Sequence, residues 1–338
     1  MTIPQEKSQS DVHLLHECGE AMTALRGAVA KLVVGQQDVV ELLLVTLLAR
    51  GHALLVGVPG LAKTLLVATT AKALGLSFGR VQFTPDLLPA DITGTDILDD
   101  SENRHALGGR PVRFMKGPIF HNLVLADEIN RTPPKTQAAL LQAMQERQVT
   151  VGGETYPLPD PFQVFATRNP IEQEGTYPLP EAQLDRFLLE VQVNYPSEHE
   201  EREIARTTTA GSPAAIQPVV EAAQLREFGS LVTRVPVTEE AIELAVRVAR
   251  ASRPGDTSGP ELVRDYVRFG AGPRGSQALV LAAKARAVLH GQPAADVDDV
   301  RTLALATLRH RLVLSYRAEV DGVREADIVE AILRRAGP

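Results

Sequence analysis

Gly57-Val58-Pro59-Gly60-Leu61-Ala62-Lys63-Thr64 is the segment of this chain whose residue types and spacing point most directly to chemistry. An apolar run, His52 to Val56, leads into it, and a helix-forming stretch, Leu65 to Leu74, leads out. Glycines so placed let backbone N–H groups turn inward around phosphate oxygens, and the helix N-terminus behind them adds partial positive charge. Lys63 is expected to reach the β- and γ-phosphates of ATP, and Thr64 to place its hydroxyl on Mg²⁺. Ala62 stands where a second glycine is usual, which can be accommodated only if that residue keeps a negative φ.

A second set follows. Leu123-Val124-Leu125-Ala126 ends in Asp127-Glu128, two carboxylates at the C-terminal end of a predicted buried strand, where open α/β sheets bind ligands. Asp127 is expected in the Mg²⁺ shell, through water, and Glu128 to accept a proton from an attacking water or to orient it. A further apolar strand, Phe162 to Ala166, leads into Thr167-Arg168-Asn169-Pro170. Asn169 lies beside the acidic pair if the strands are neighbours, and its amide could then position the water or touch the γ-phosphate; an Asn-Pro alone is usually only a turn. Charge on a transferring phosphoryl group calls for an arginine. Arg186 in Leu184-Asp185-Arg186-Phe187, Arg274 in Gly272-Pro273-Arg274 and Arg131 are the candidates, each weighed against an ordinary ion pair or helix-end contact.

The elements that must hold these residues can be read from periodicity. Two helices are predicted first, Asp11 to Val33 and Gln37 to Arg50, the second stopped by Gly51 as a left-handed C-cap. Short apolar runs at Ala53–Val56, Val81–Phe83, Leu123–Ala126, Phe162–Ala166 and Leu188–Val193 then alternate with helix-like or turn-rich segments, the pattern of an α/β doubly wound parallel sheet. The interval from Asp91 to Pro118 is too long for a plain connection, and Asn103 to Pro111 with Gly108-Gly109 suggests an inserted hairpin. A second hairpin is expected at Val149 to Leu158, turning on Gly152-Gly153. The nucleotide-binding part is expected over residues 1–195, a linker helix and loop over 196–218, and a small all-α lid over 219–338, where apolar positions such as Ile242, Leu244, Ala245 and Val248 recur at helical spacing.

Bulk composition narrows the setting. With 338 residues, 44% hydrophobic and 23% charged, the chain can bury a sizeable core in two domains. A net charge of −7 without a run of Lys and Arg gives no strong nucleic-acid signal. Cys18 is the only cysteine and is expected to be a buried apolar residue, while the eight histidines lack metal-ligand spacing. Met1 to Asp11 is polar, unlike a signal peptide, and no apolar stretch approaches the roughly 20 residues that span a bilayer, so a cytoplasmic protein is expected.

In this order and at these spacings the motifs resemble the AAA+ ATPases, and in detail the MoxR family. The match is carried by Val34-Gly35-Gln36, by Gly57 to Thr64, by Phe83-Thr84-Pro85-Asp86-Leu87-Leu88-Pro89-Ala90-Asp91-Ile92-Thr93-Gly94, by Lys116 to Phe120, by Ala126 to Arg131, and by Tyr177 to Phe187. The resemblance implies a hexameric ring with Mg-ATP at subunit interfaces. It further implies that Asn169 is sensor 1, that Arg186 is an arginine finger offered to the neighbouring subunit, that Arg274 is sensor 2 reaching the phosphates from the lid, and that Gly35 and Gln36 line the adenine side. Mg-ATP would then draw the lid and the neighbour's finger onto the phosphates. The implied partners are a protein with a von Willebrand factor A domain and a client protein contacted by the hairpins. Arg168, where glutamine is frequent, and Gly272, where serine is frequent, depart from the pattern. The rival readings are a small-molecule kinase, which leaves Arg186 and the hairpins without purpose, and a nucleotide-gated scaffold or nucleic-acid loader.

Overall fold

The computed structural model of the protein describes residues 5–98, 112–171, 175–209 and 216–337. The chain opens with α1 (Gln5–Ala30) and α2 (Gln37–Leu48), then enters β1 (Ala53–Val56), α3 (Lys63–Ala73), β2 (Phe78–Gln82), α4 (Pro89–Thr93), β3 (Gly94–Leu98) and β4 (Val112–Lys116). After these come β5 (Leu123–Asp127), α5 (Pro134–Glu146), β6 (Gln148–Val151), β7 (Glu154–Pro157), β8 (Gln163–Arg168), α6 (Glu181–Leu184), β9 (Leu189–Gln192) and α7 (Glu198–Thr209). The remainder is α8 (Ala222–Arg234), α9 (Glu239–Ala251), α10 (Glu261–Tyr266), β10 (Val267–Phe269), α11 (Pro273–Leu289), α12 (Val297–Leu308), β11 (Val313–Leu314), α13 (Tyr316–Asp321) and α14 (Glu325–Arg335). None of the described helices is long and apolar enough to cross a membrane.

Five parallel strands form the central sheet in the order β2-β5-β8-β1-β9. Because successive residues of a strand face opposite sides, the sheet feeds two cores. Leu54, Val56, Val124, Ala126, Val164 and Ala166 join one cluster with α5, while Ala53, Leu55, Leu123, Leu125 and Phe165 join the other with α1, α2 and α3. That second cluster runs without a break into α8, α9, α11, α12 and α14, so the C-terminal helices and the sheet share one core. A polar link runs beside it: Arg286 of α11 pairs with Glu41 of α2 at 3.3 Å and with the buried Asp299 of α12 at 2.6 Å. Asp296 caps α12 by accepting from the N–H groups of Asp298 and Asp299, and Asp299 returns a bond to the Asp296 N–H.

Two expectations change here. The left-handed residue after α2 is Arg50, at φ 53°, rather than Gly51. Gly51 is required for a different reason, since a Cβ there would stand 2.9 Å from the Leu188 side chain at the entry to β9. The lid is not wholly helical, because β10 and β11 pair antiparallel through Val267 and Leu314. The second hairpin forms as predicted from β6 and β7, turning on Gly152 and Gly153 at φ 60° and 88°. The first forms from β3 and β4, while its tip, including Gly108-Gly109, lies outside the described residues.

Candidate functional site

The glycine-rich loop leaves β1 at the C-terminal edge of the sheet. Gly57 passes so close to the end of β9 that a Cβ would stand 2.5 Å from the Val193 carbonyl oxygen. Both sides of that contact are backbone, so it cannot relax cheaply. Gly57→Ala is therefore expected to displace the loop and weaken binding of a fluorescent ATP analogue about tenfold or more while leaving the circular dichroism of the sheet intact. Ala62 overturns the negative-φ expectation, standing in the left-handed region at φ 56°. Its carbonyl already accepts the first helical bond, from Leu66 N–H at 2.9 Å, while the loop reverses just before it. A left-handed turn meets both demands, at a cost of roughly 1–2 kcal/mol for a residue with a Cβ. No side chain caps α3, which leaves its leading N–H groups for an anion. Lys63 Nζ donates to the Gly57 and Val58 carbonyls at the base of the loop. Burial lowers the Lys63 pKa from its ordinary value, and the Asp127 and Glu128 carboxylates pull it the other way.

Two strands away, Asp127 ends β5 and Glu128 follows at φ 56°, a backbone turn that sends consecutive carboxylates in different directions. A residue not singled out in the sequence orders both. The Thr167 hydroxyl donates to Asp127 Oδ1 at 2.6 Å and accepts from the Glu128 N–H at 2.8 Å. Arg80 and Gln82 of β2 were likewise missed. Arg80 donates to Asp127 Oδ2 from its Nε at 3.2 Å and its Nη2 at 2.7 Å, and the Gln82 amide donates to Glu128 Oε2 at 2.8 Å. Asn169 is 6% exposed at the end of β8, between the strands carrying the loop and the acidic pair, where its Oδ1 accepts from Ile171 N–H. Gly35 and Gln36 reach the same edge, with Gln36 Nε2 donating to the Asn194 carbonyl just past β9.

The three arginine candidates divide. Arg131 pairs with Glu128 of its own chain at 3.3 Å, beside the acidic pair. Arg186 stands before β9 at the N-terminal edge of the sheet, opposite the loop, with Nη1 donating to the Leu141 carbonyl of α5. Arg274 is beside it and not at its own chain's phosphate loop: its guanidinium lies 3.7 Å from Asp185, whose other oxygen accepts from the buried Arg311 at 2.8 Å. Arg186 and Arg274 line one cavity of about 450 Å³ with Gly51, His52 and Leu188, all at the starts of β1 and β9. Of the departures from the family pattern, Arg168 lies 3.7 Å from buried Glu190, and Gly272 is the N-cap of α11 without a side-chain bond.

The donor set at the loop suits Mg²⁺ carried on a nucleotide. Thr64 offers a hydroxyl in the first turn of α3 and Asp127 a carboxylate, both hard oxygen ligands, and Mg²⁺ takes one or two such groups plus phosphates and waters. Among the described residues no group of three or more His, Cys, Asp or Glu forms a protein cage for a metal.

Known proteins resemble this chain over most of its length. Residues 52–189 match the model of the ATPase family associated with various cellular activities (AAA), and residues 260–332 match the AAA lid domain. Chaperone MoxR1 of Mycobacterium tuberculosis is 44% identical over 306 residues, 90% of this chain and 79% of that protein. This chain belongs to the MoxR family of AAA+ ATPases. Protein MoxR of Paracoccus denitrificans is 36% identical, covering 90% of this chain and 91% of its own. A crystal structure of a Cytophaga hutchinsonii protein, 39% identical, superposes with a TM-score of 0.89 over 97% of this chain and 98% of the other. The MoxR assignment accounts for the α/β P-loop fold with its helical lid and implies nucleotide binding.

Proposed function

We propose that this protein hydrolyses Mg-ATP at sites completed between the subunits of a closed hexameric ring and uses the cycle to remodel, assemble or activate a client protein. One observation carries the reading. Lys63, Asp127 and Glu128 gather at one edge of the sheet, whereas Arg186 and Arg274 surround a cavity at the other. A single chain thus holds both halves of a phosphoryl-transfer site without bringing them together.

In this reading Lys63 and the uncapped N-terminus of α3 hold the phosphates, with Gly35 and Gln36 on the adenine side. Thr64 and Asp127, the latter through water, would hold Mg²⁺, which would supply positive charge to offset that of the phosphates. Glu128 accepts the proton of a water whose oxygen bonds to the γ-phosphorus as the bond to the ADP oxygen breaks, leaving ADP and inorganic phosphate. Asn169 orients that water. Arg186 and Arg274 of one subunit together face the phosphates held by the next, a reading supported by their shared place at the sheet edge opposite Lys63. Work then follows from interface contacts that differ between the ATP and ADP states.

The chaperone role rests on the relatives and on the two hairpins. Phe114 of β4 stacks on Tyr156 of β7 with ring centroids 4.2 Å apart, so the hairpins present a joined surface to a client. A partner with a von Willebrand factor A domain and a cytoplasmic setting complete the proposal. The decisive experiment is ATP turnover per chain against protein concentration, with oligomer mass followed by sedimentation. Turnover is expected to rise with assembly and then level; a flat profile over monomer would mean that one chain holds a complete site.

A further inference from the structure

Glu190 is an acid set in a buried strand. It lies in β9 with 3% of its surface exposed, between Leu189 and Val191, which join the core shared with the lid. In register it stands opposite Leu54 of β1, while Val56, two residues on, stands opposite both Gln192 of β9 and Arg168 of β8. Glu190, Gln192 and Arg168 therefore share one face of the sheet, on either side of β1. Glu190 Oε1 accepts from the Gln192 amide at 2.8 Å, and its Oε2 is 3.7 Å from the Arg168 guanidinium, which reaches over β1 to meet it. Burial raises the Glu190 pKa and Glu325 adds to the rise, while Arg168 and Arg309, at the head of the short helix Arg309–Arg311, pull it down. A carboxylate so placed is costly beside an apolar side chain of similar volume, which points to a role other than stability.

The backbone around Arg168 supplies that role. Thr167, whose side chain faces the other way, holds Asp127 and the Glu128 N–H through its hydroxyl. The Arg168 carbonyl accepts from the N–H of Gly57, the first residue of the phosphate loop, at 3.3 Å. Asn169 comes next, buried, with its Oδ1 on the Ile171 N–H. Three consecutive residues thus meet the acidic pair, the loop and the expected place of the attacking water. They do so where the sheet runs out, since pairing of β8 with β5 stops at Ala166 and with β1 at Arg168 itself. The last paired residue of β8 is the one whose side chain Glu190 holds.

We propose that Glu190 is a positioning residue for the ATPase site: by holding the Arg168 side chain across β1, it fixes the Thr167-Arg168-Asn169 backbone between the phosphate loop and the acidic pair. Glu190 touches neither nucleotide nor water and acts through Arg168. Without the carboxylate, the Arg168 side chain, already 36% exposed, turns to solvent. The end of β8 then loosens, and Asn169 no longer keeps a fixed distance from Gly57. This role rests on the Mg-ATP reading above.

The test is steady-state ATP turnover of the assembled protein, beside amide hydrogen exchange of the nucleotide-free chain. Glu190→Gln keeps the volume and can still accept from Gln192, but removes the charge that holds Arg168. It is expected to lower kcat about tenfold or more, the scale on which a misplaced reacting group acts, with KM for ATP within about twofold of wild type. Arg168→Met is expected to act alike. Combining it with Glu190→Met exchanges the pair for apolar packing, which keeps the fold, and is expected to lower kcat no further than Arg168→Met alone. Exchange at the Gly57 amide is expected to quicken about tenfold in each variant. A pair that serves stability alone would lower the melting temperature and leave kcat as it was. The proposal is therefore overturned by a Glu190→Gln protein with intact circular dichroism and wild-type kcat, by wild-type kcat in the double variant, or by unchanged exchange at Gly57. An ATP affinity that falls as far as kcat overturns it too, because the loop itself would then have been lost. Exchange needs no hydrolysis, so if it quickens as expected while the wild-type protein never turns over ATP, the ATPase reading fails separately.

Discussion

Arg186→Ala is expected to lower ATP turnover by about 10³-fold or more, the scale at which an arginine stabilises charge on a transferring phosphoryl group. ATP affinity measured on dilute protein should change little, because Arg186 lies across the sheet from Lys63 of its own chain. Its Nη1 is anchored on the Leu141 carbonyl of α5, which holds the guanidinium at the rim of the cavity it shares with Arg274. Mixing this variant with Glu128→Gln gives the sharper measurement. In mixed rings some interfaces pair an intact Glu128 with an intact Arg186, so turnover is expected to recover in part from two inactive proteins. A mixture as inactive as its components, or an Arg186→Ala protein with full turnover, would end the shared-site reading.

Glu128→Gln is expected to reduce turnover by about 10²- to 10⁴-fold while ATP is still bound. The substitution removes the proton acceptor without disturbing its setting, since the Thr167 bond is to the Glu128 backbone N–H and a glutamine oxygen can still accept from Gln82. Nucleotide recovered from the variant after incubation should be ATP rather than ADP. Turnover within about tenfold of wild type would remove Glu128 from its role.

Much of the site was legible because its chemistry requires contiguous residues: a phosphate loop between a strand and a helix, and carboxylates closing an apolar run. The Gly152-Gly153 hairpin was legible for the same reason, as a two-residue turn with positive φ has few solutions. Arg80 and Gln82 escaped because β2 is an edge strand. Gly79 and Arg80 break its apolar run, so only the stretch from Val81 read as strand, and their acidic partners lie more than forty residues away. The Ala62 conformation depends on a carbonyl that must begin α3, which residue preference does not report. The position of Arg274 depends on where the lid docks. Its helix is plain from periodicity, but the docking is fixed by long-range contacts such as Arg311 with Asp185 and Arg286 with Glu41.

That docking changes what can move. The apolar cluster beneath the sheet passes through α1 and α2 into the lid without a seam, so bending the chain between its two parts would open a packed interior to water. In the proposed ring the joints would therefore lie between molecules, each chain a stiff link and each nucleotide a pin in the gap. Rotation of one link would displace the next, and a client on the joined hairpins would feel the geometry of the whole circuit before that of any one member.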